Sequence, residues 1–237
     1  MQISFQRWLY RFLVLGFVFG LYYGVQRLAM LEILPSLIHF PSTLSKNFLF
    51  IFQHHFWQFT VGMLVIIVAS RGHLWSYGIN AMNRPLGFSL LLQWCITTSL
   101  FIVVLYYQYG IPYKTEIFTT GNTIIMFITQ FVSGPVADQI FFYGMMQTLI
   151  GKFWDEPIVI SRFRISPAIL FSTTLFAFGQ VNIPFYTYNT ILMYGIFILL
   201  GGFCGYVYEK TRSLLVPMFA ESFILGIPLL VKMILGI

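Results

Sequence analysis

Apolar residues run along this chain in seven long blocks, interrupted by very few polar side chains. The blocks fall at roughly residues 8–30, 47–70, 85–109, 121–151, 166–183, 188–208 and 213–236, most near the ~20 residues a helix needs to cross a bilayer. The fifth is short for a full crossing. The pattern predicts an all-α fold, a polytopic transmembrane helix bundle with residues 1–237 forming a single integral membrane domain. Composition agrees: 58% of the 237 residues are hydrophobic, 8% are charged and the mean hydropathy is +0.82, too little charge for a soluble domain of this size. Cys95 and Cys204 both fall inside apolar blocks, so neither a disulfide framework nor a thiolate metal site is indicated.

The net charge of +6 reads as topology, not as a nucleic-acid signal. With a cytoplasmic N-terminus, the inside receives Arg7, Arg11, Arg71, Arg84, Lys152, Arg162, Arg164, Lys210 and Arg212. The outside receives Arg27, Lys46, Lys114 and Lys232. That bias favours N-in and C-out, in what is expected to be a bacterial plasma membrane. Trp8, Trp57, Trp75 and Trp154 stand near proposed helix ends, as an aromatic belt would place them. No cleavable signal peptide is expected, because the stretch after Arg7 and Arg11 is too long for one. Gly16, Gly20 and Gly24 in the first block are spaced by four, as are Gly201 and Gly205 in the sixth. Each set predicts a smooth face where another helix can approach closely.

Three polar residues sit where an apolar block least tolerates them: Asp138, Gln180 and Glu221. A carboxylate there costs at least a few kcal/mol unless it is paired, hydrated or protonated, so such residues face a protein interior or polar cavity. They are expected to converge from three helices on one cleft. Pro135, close before Asp138, cannot donate to the carbonyl of Phe131, and Pro217 stands likewise to Ser213. His54 and His55 are adjacent, point about 100° apart on a helix, and cannot both face one metal. With Gln53 and Gln58 they mark a polar cavity or the membrane interface. Asp155 and Glu156 read as part of a solvated loop.

Three motifs carry a resemblance to a known family. Pro135-Val-Ala-Asp-Gln-Ile-Phe-Phe-Tyr-Gly144 resembles a first motif, EExxxR followed by Gly. The run from Ser166 to Gln180 resembles a helix ending in FxxxH, and the run from Gly201 to Glu221 resembles the approach to HxxxN, with a Tyr-x-x-Thr-x-Ser-Leu turn and then a Pro. Over about residues 120–230 the chain is similar to the CPBP family, the CAAX proteases and bacteriocin-processing proteins also labelled Abi. The resemblance implies a helical membrane bundle in which the first Glu is general base and the histidines assist with water and the oxyanion.

This chain departs from that pattern at every chemical position. Asp138 stands for the first Glu, Gln139 for the second, Tyr143 for the Arg, Gln180 for the second motif's His, Glu221 for the third motif's His and Leu225 for its Asn or Asp. Asp is one methylene shorter than Glu, so the carboxylate retreats by roughly 1–1.5 Å, and a misplacement of that order can cost about a hundredfold in rate. Gln139 and Tyr143, four apart, replace an ion pair with two neutral groups able to bridge by a hydrogen bond. Gln180 cannot exchange a proton near neutral pH, though its amide can donate. Without the histidines a zinc site lacks its ligands, so no metal and no cofactor is expected.

The reading these residues favour is a CPBP-like membrane protein with substituted catalytic positions, acting as a non-catalytic scaffold or accessory subunit. Its partner would be another membrane or secreted protein. Asp138, Gln180 and Glu221 stand at the catalytic positions, with Gln139, Tyr143 and Leu225 lining the cleft. An active intramembrane endopeptidase using Asp138 with Glu221 or Gln180 stays open. So does a bacteriocin-immunity or transport role.

Overall fold

The computed structural model describes residues 5–31, 33–34, 46–81, 83–109, 128–160, 163–180 and 188–235. Residues 121–127 and 181–183 of the expected segments, together with Lys114 and Arg162, lie outside them. Among the described residues seven helices form, one in each apolar block: α1 (Phe5–Met30), α2 (Lys46–Ser70), α3 (Arg84–Tyr109), α4 (128–153), α5 (Pro167–Gln180), α6 (Tyr188–Thr211) and α7 (Leu215–Leu235). A 3-10 turn at Leu74–Tyr77 precedes α3. Strands β1 (Ile158–Ile160) and β2 (Phe163–Ile165) pair antiparallel between α4 and α5, a hairpin the apolar pattern did not suggest.

Length separates the helices. α1, α2, α3, α6 and α7 have 26, 25, 26, 24 and 21 residues, each enough at 1.5 Å per residue for the ~30 Å hydrocarbon core. Among the described residues, Phe5–Met30 and Phe48–Ser70 are also apolar enough to cross a membrane on their own, and Leu215–Gly226 is a shorter apolar helix. The 14 residues of α5 reach about 21 Å, short of a full crossing. Large apolar side chains, including Phe12, Val68, Phe88, Leu100, Leu199 and Phe219, cover the outside of the bundle. Polar residues such as Gln53, Gln58, Asp138, Gln139, Gln147 and Glu221 are buried. An apolar exterior around a partly polar interior is stable in lipid and unstable in water. The chain is an integral membrane protein.

At the centre stands α4. It alternates between windings: π at Thr129–Ser133, α at Gly134–Asp138, π at Gln139–Gln147 and α at Thr148–Phe153. Pro135 cannot donate to the carbonyl of Phe131, and Ser222 of α7 donates its hydroxyl there at 2.7 Å. Pro217 is different. It lies in the first turn of α7, which begins at Leu215, so it interrupts no helix.

Glycines in α6 let α4 come close. Tyr143 donates its hydroxyl to the Gly201 carbonyl at 3.0 Å, and Gln147 donates its amide to the Gly205 carbonyl at 2.9 Å. Donors four apart on one helix thus meet glycines four apart on the other. A Cβ at Gly201 would lie 2.9 Å from Phe176 Cδ1 and 3.0 Å from the Tyr143 hydroxyl. One at Gly205 would lie 3.0 Å from Gln147 Oε1.

The glycines of α1 behave otherwise. Among the described residues nothing comes within 4 Å of a Cβ built at Gly16, Gly20 or Gly24, so none of the described helices makes the expected close contact there. The helix buries Arg11, Val18, Val25 and Ala29 instead. Gly20, two residues from Val18, points about 200° away from that seam. Arg11 anchors the packed side, 3% exposed and bonded to Glu156 at 3.1 Å, with its guanidinium 5.4 Å from the Trp8 ring and 5.1 Å from that of Trp154. Glu156, in the loop after α4 and 38% exposed at its side chain, is also the partner of this buried cation. Trp57 also departs from the belt pattern, packing on the core.

The α6–α7 turn locks onto the loop before α3. Arg212 takes a left-handed φ of 54°, Ser213 donates its hydroxyl to the Asn80 carbonyl at 2.7 Å, and Leu214 donates its backbone N–H to the Gly78 carbonyl at 3.0 Å. Tyr208 and Thr148 share a hydrogen bond of 2.5 Å between hydroxyls. Tyr208, Ser213 and Leu214 are the Tyr, Ser and Leu of the third motif's turn, and its Thr211 accepts the Ser213 backbone N–H at 3.2 Å, so each of these residue types has a contact that uses it.

Glycine substitutions test this packing. Gly201→Leu should destabilise the purified protein by about 1–3 kcal/mol through overpacking. Gly20→Leu should stay within about 0.5 kcal/mol because its face is open. Unfolding by titrated denaturing detergent, read by circular dichroism, measures both, and equal losses would contradict the assignment of faces.

Candidate functional site

Four helices contribute to one buried polar cluster. Asp138 and Gln139 come from α4, where the winding changes from α to π, Glu221 from α7, Gln180 from the end of α5, and His55 and Gln58 from α2. Asp138 is 1% exposed, and Gln139 and Glu221 are fully buried. The Gln180 amide donates to Asp138 Oδ2, and the Gln139 amide donates to Glu221 Oε2 at 2.5 Å. Glu221 and Gln58 neighbour the Asp138 carboxyl in the same buried cluster. His55 Nε2 stands 3.8 Å from Asp138 Oδ2.

The fold makes room for each group. A Cβ at Gly134 would lie 3.0 Å from His55 Cε1, so the imidazole sits against α4 where a side chain is missing. At Gly62 a Cβ would come within 3.4 Å of the Phe141 Cα, so α2 and α4 approach backbone to backbone just below the polar groups. Phe141, Phe142 and Phe176 pack edge to face beneath the cluster and keep it apolar on that side.

The three residues singled out by their cost in lipid, Asp138, Gln180 and Glu221, thus lie in one connected cluster. Gln139 belongs to it. Tyr143 does not bridge to Gln139 as expected, because each side chain reaches a neighbouring helix: Tyr143 the carbonyl of Gly201, Gln139 the carboxyl of Glu221. Leu225, expected beside the cleft, packs partly buried on the hydrophobic core one turn beyond Glu221 and adds no polar group. His55 and Gln58 were read only as marking a polar cavity or the interface. The signal that could have placed them was four polar residues, Gln53, His54, His55 and Gln58, in an otherwise apolar helix.

Chemically, the arrangement offers two carboxyl groups, three amides and one imidazole. A hydrogen bond between two carboxyl groups requires a proton between them, the condition for shared-proton chemistry. The two groups held directly against the carboxyls are amides, which donate but do not move protons. Among the described residues no three His, Cys, Asp or Glu side chains gather into a metal-binding group. Among the described residues Arg7 and Arg11 pair with Glu156, away from the cluster, and neither Lys nor Arg pairs with the two buried carboxyls.

The family model described as Type II CAAX prenyl endopeptidase Rce1-like matches residues 120–224, which include Asp138, Gln180 and Glu221. No curated protein and no solved structure matches the chain.

The Gln139–Glu221 bond offers a direct test. Gln139→Leu leaves a buried carboxyl short of a donor and should cost about 2 kcal/mol, whereas Gln139→Leu with Glu221→Leu should cost less than the sum of the single changes. A double-mutant cycle on unfolding free energy reads the coupling, and additive losses would show that the bond contributes nothing.

Proposed function

With residues 120–224 placing the chain in the CAAX protease and bacteriocin-processing family, we propose that it is a non-catalytic member. In this reading it is a membrane scaffold or accessory subunit that holds another membrane or secreted protein. The observation that carries the proposal is the bond from the Gln180 amide to Asp138. At the position where the family's motif places an imidazole, this chain has a group that satisfies the carboxylate and cannot shuttle a proton. The Gln139–Glu221 bond repeats the arrangement on the second carboxyl. The result is a hydrogen-bonded core joining α4 to α5 and α7, suited to holding helices in register.

A bacterial plasma membrane with the N-terminus inside is the orientation we infer. It is supported by contacts of basic residues with the loops that the positive-inside bias assigns to one side. Arg11 meets Glu156, Lys152 donates to the Tyr77 hydroxyl at 2.9 Å, and the Arg212 carbonyl accepts from Asn80 at 2.8 Å. The positive-inside bias assigns that end to the cytoplasm.

One feature favours a second reading, an intramembrane endopeptidase: the Asp138 and Glu221 carboxyls are buried in one cluster, held by the amides of Gln180 and Gln139, and could together polarise a water. Asp138→Asn separates the two. Asn keeps the shape and removes the carboxylate, so a scaffold retains its partner when the variant is captured from detergent extracts below its melting midpoint. A protease would lose roughly a hundred- to ten-thousandfold of its cleavage rate. Loss of cleavage of an identified substrate by a folded Asp138→Asn protein would overturn the scaffold reading.

A further inference from the structure

Helices α2 and α6 end against one loop. At 25 and 24 residues and 1.5 Å per residue, each is longer than the ~30 Å hydrocarbon core, so its ends reach the headgroup layer. The loop that leaves α2 straps across the end of α6. The Asn80 amide donates to the carbonyls of Trp75 and Arg212 at 2.9 and 2.8 Å, and the Asn83 amide donates to the Thr211 carbonyl at 3.4 Å. Those bonds bring the loop carrying Arg71 and Trp75 onto the turn carrying Arg212. From Arg71 to Arg84 the chain has no Asp or Glu.

Two arginines of this surface hold a backbone conformation that favours glycine. Arg71 has a φ of 52° and Arg212 one of 54°, each directly after the last residue of its helix. Glycine is common at that position because a Cβ is costly there. Capping does not account for the arginines. The Gly72 N–H donates to the Ile67 carbonyl at 3.1 Å at the end of α2, and Asn80 and Asn83 serve the last carbonyls of α6. Both arginine side chains are exposed, and among the described residues neither guanidinium enters a hydrogen bond or an ion pair. The positive-inside bias asks for positive charge on this side, not for arginine where the backbone favours glycine. Trp75 stands beside them, 70% exposed.

We propose that this surface docks the phosphate headgroups of anionic phospholipids, with Arg71 and Arg212 as the cationic contacts and Trp75 as the interfacial anchor. A guanidinium meets phosphate through two parallel charge-assisted hydrogen bonds. Tryptophan settles at headgroup level, where its ring has one apolar and one wet side. The depth of the helix ends and the sign of the charge identify the occupant. Lipid held here clamps the ends of α2 and α6 to each other through the Asn80 strap. This goes beyond the scaffold reading and does not depend on it, since such a clamp serves a scaffold or an enzyme alike.

The test uses the delipidated full-length protein in a neutral detergent, its melting midpoint followed as dioctanoyl phosphatidylglycerol is titrated in. Dioctanoyl phosphatidylcholine and glycerol phosphate are run separately. Phosphatidylglycerol is expected to raise the midpoint saturably, phosphatidylcholine far less, and glycerol phosphate not at all over the same range. Arg71→Gly and Arg212→Gly suit their backbone positions, so each should keep its midpoint in detergent alone. Each should bind phosphatidylglycerol about fivefold more weakly, the worth of one arginine near an anionic surface. If a glycine variant fails to fold, Arg71→Asn or Arg212→Asn, which also tolerates the left-handed region, should show the same loss. Salt at about 1 M should remove most of the wild-type response, because it screens charges beyond ~3 Å. Equal responses to the two lipids, an undiminished response in the folded variants, or a response indifferent to salt would overturn the proposal. Glycerol phosphate as potent as the lipid would overturn the membrane as the source of the phosphate. Partner capture is measured separately, so this proposal and the scaffold reading fail independently.

Discussion

A polar side chain inside a membrane bundle must find its partner within the protein, because lipid offers none. In this chain the constraint concentrates on α4, which carries Asp138, Gln139, Tyr143, Gln147 and Thr148 through its middle. Each reaches another helix: Asp138 meets Gln180 of α5, Gln139 meets Glu221 of α7, Tyr143 and Gln147 meet carbonyls of α6, and Thr148 meets Tyr208 of α6. Ser172 of α5 adds a hydroxyl donor to Gln147 at 3.2 Å. The positions of α5, α6 and α7 follow from satisfying one helix.

Van der Waals packing and polar contacts must cooperate for this to work. A side-chain donor reaches a helix carbonyl only where the backbones lie close, and Gly201 and Gly205 provide that closeness. The π winding over Gln139–Gln147 accompanies the same stretch, a local cost accepted where the interhelical bonds are densest. α1 is built on a different principle. One buried arginine caged by Trp8 and Trp154 and paired with Glu156 holds it to the end of α4, while its glycine face stays open.

The stretch that matches the family model contains the three costly polar residues. Asp138, Gln180 and Glu221, the positions that resemble the motifs' catalytic ones, meet in one buried cluster. The amides of Gln180 and Gln139 hold the carboxyls of that cluster by hydrogen bonds and do not themselves exchange protons.

How far the sequence alone reaches is plain in individual residues. The seven apolar blocks determined the helices, because a continuous apolar run of that length has few alternatives in lipid. Asp138, Gln180 and Glu221 stood out because each is costly in isolation, and cost is a property of the residue and its immediate neighbours. Partner choice is not local. That Gln139 bonds Glu221 and not Tyr143, that His55 reaches the cluster from a distant helix, and that Gly16, Gly20 and Gly24 face away from the described helices depend on how helices rotate against one another. That rotation is decided by summed packing over many contacts. The hairpin at Ile158–Ile165 escaped notice for a related reason, since two three-residue strands carry too short a pattern to distinguish from loop. Sequence determined which residues could not be left in lipid, and tertiary structure decided where each of them went.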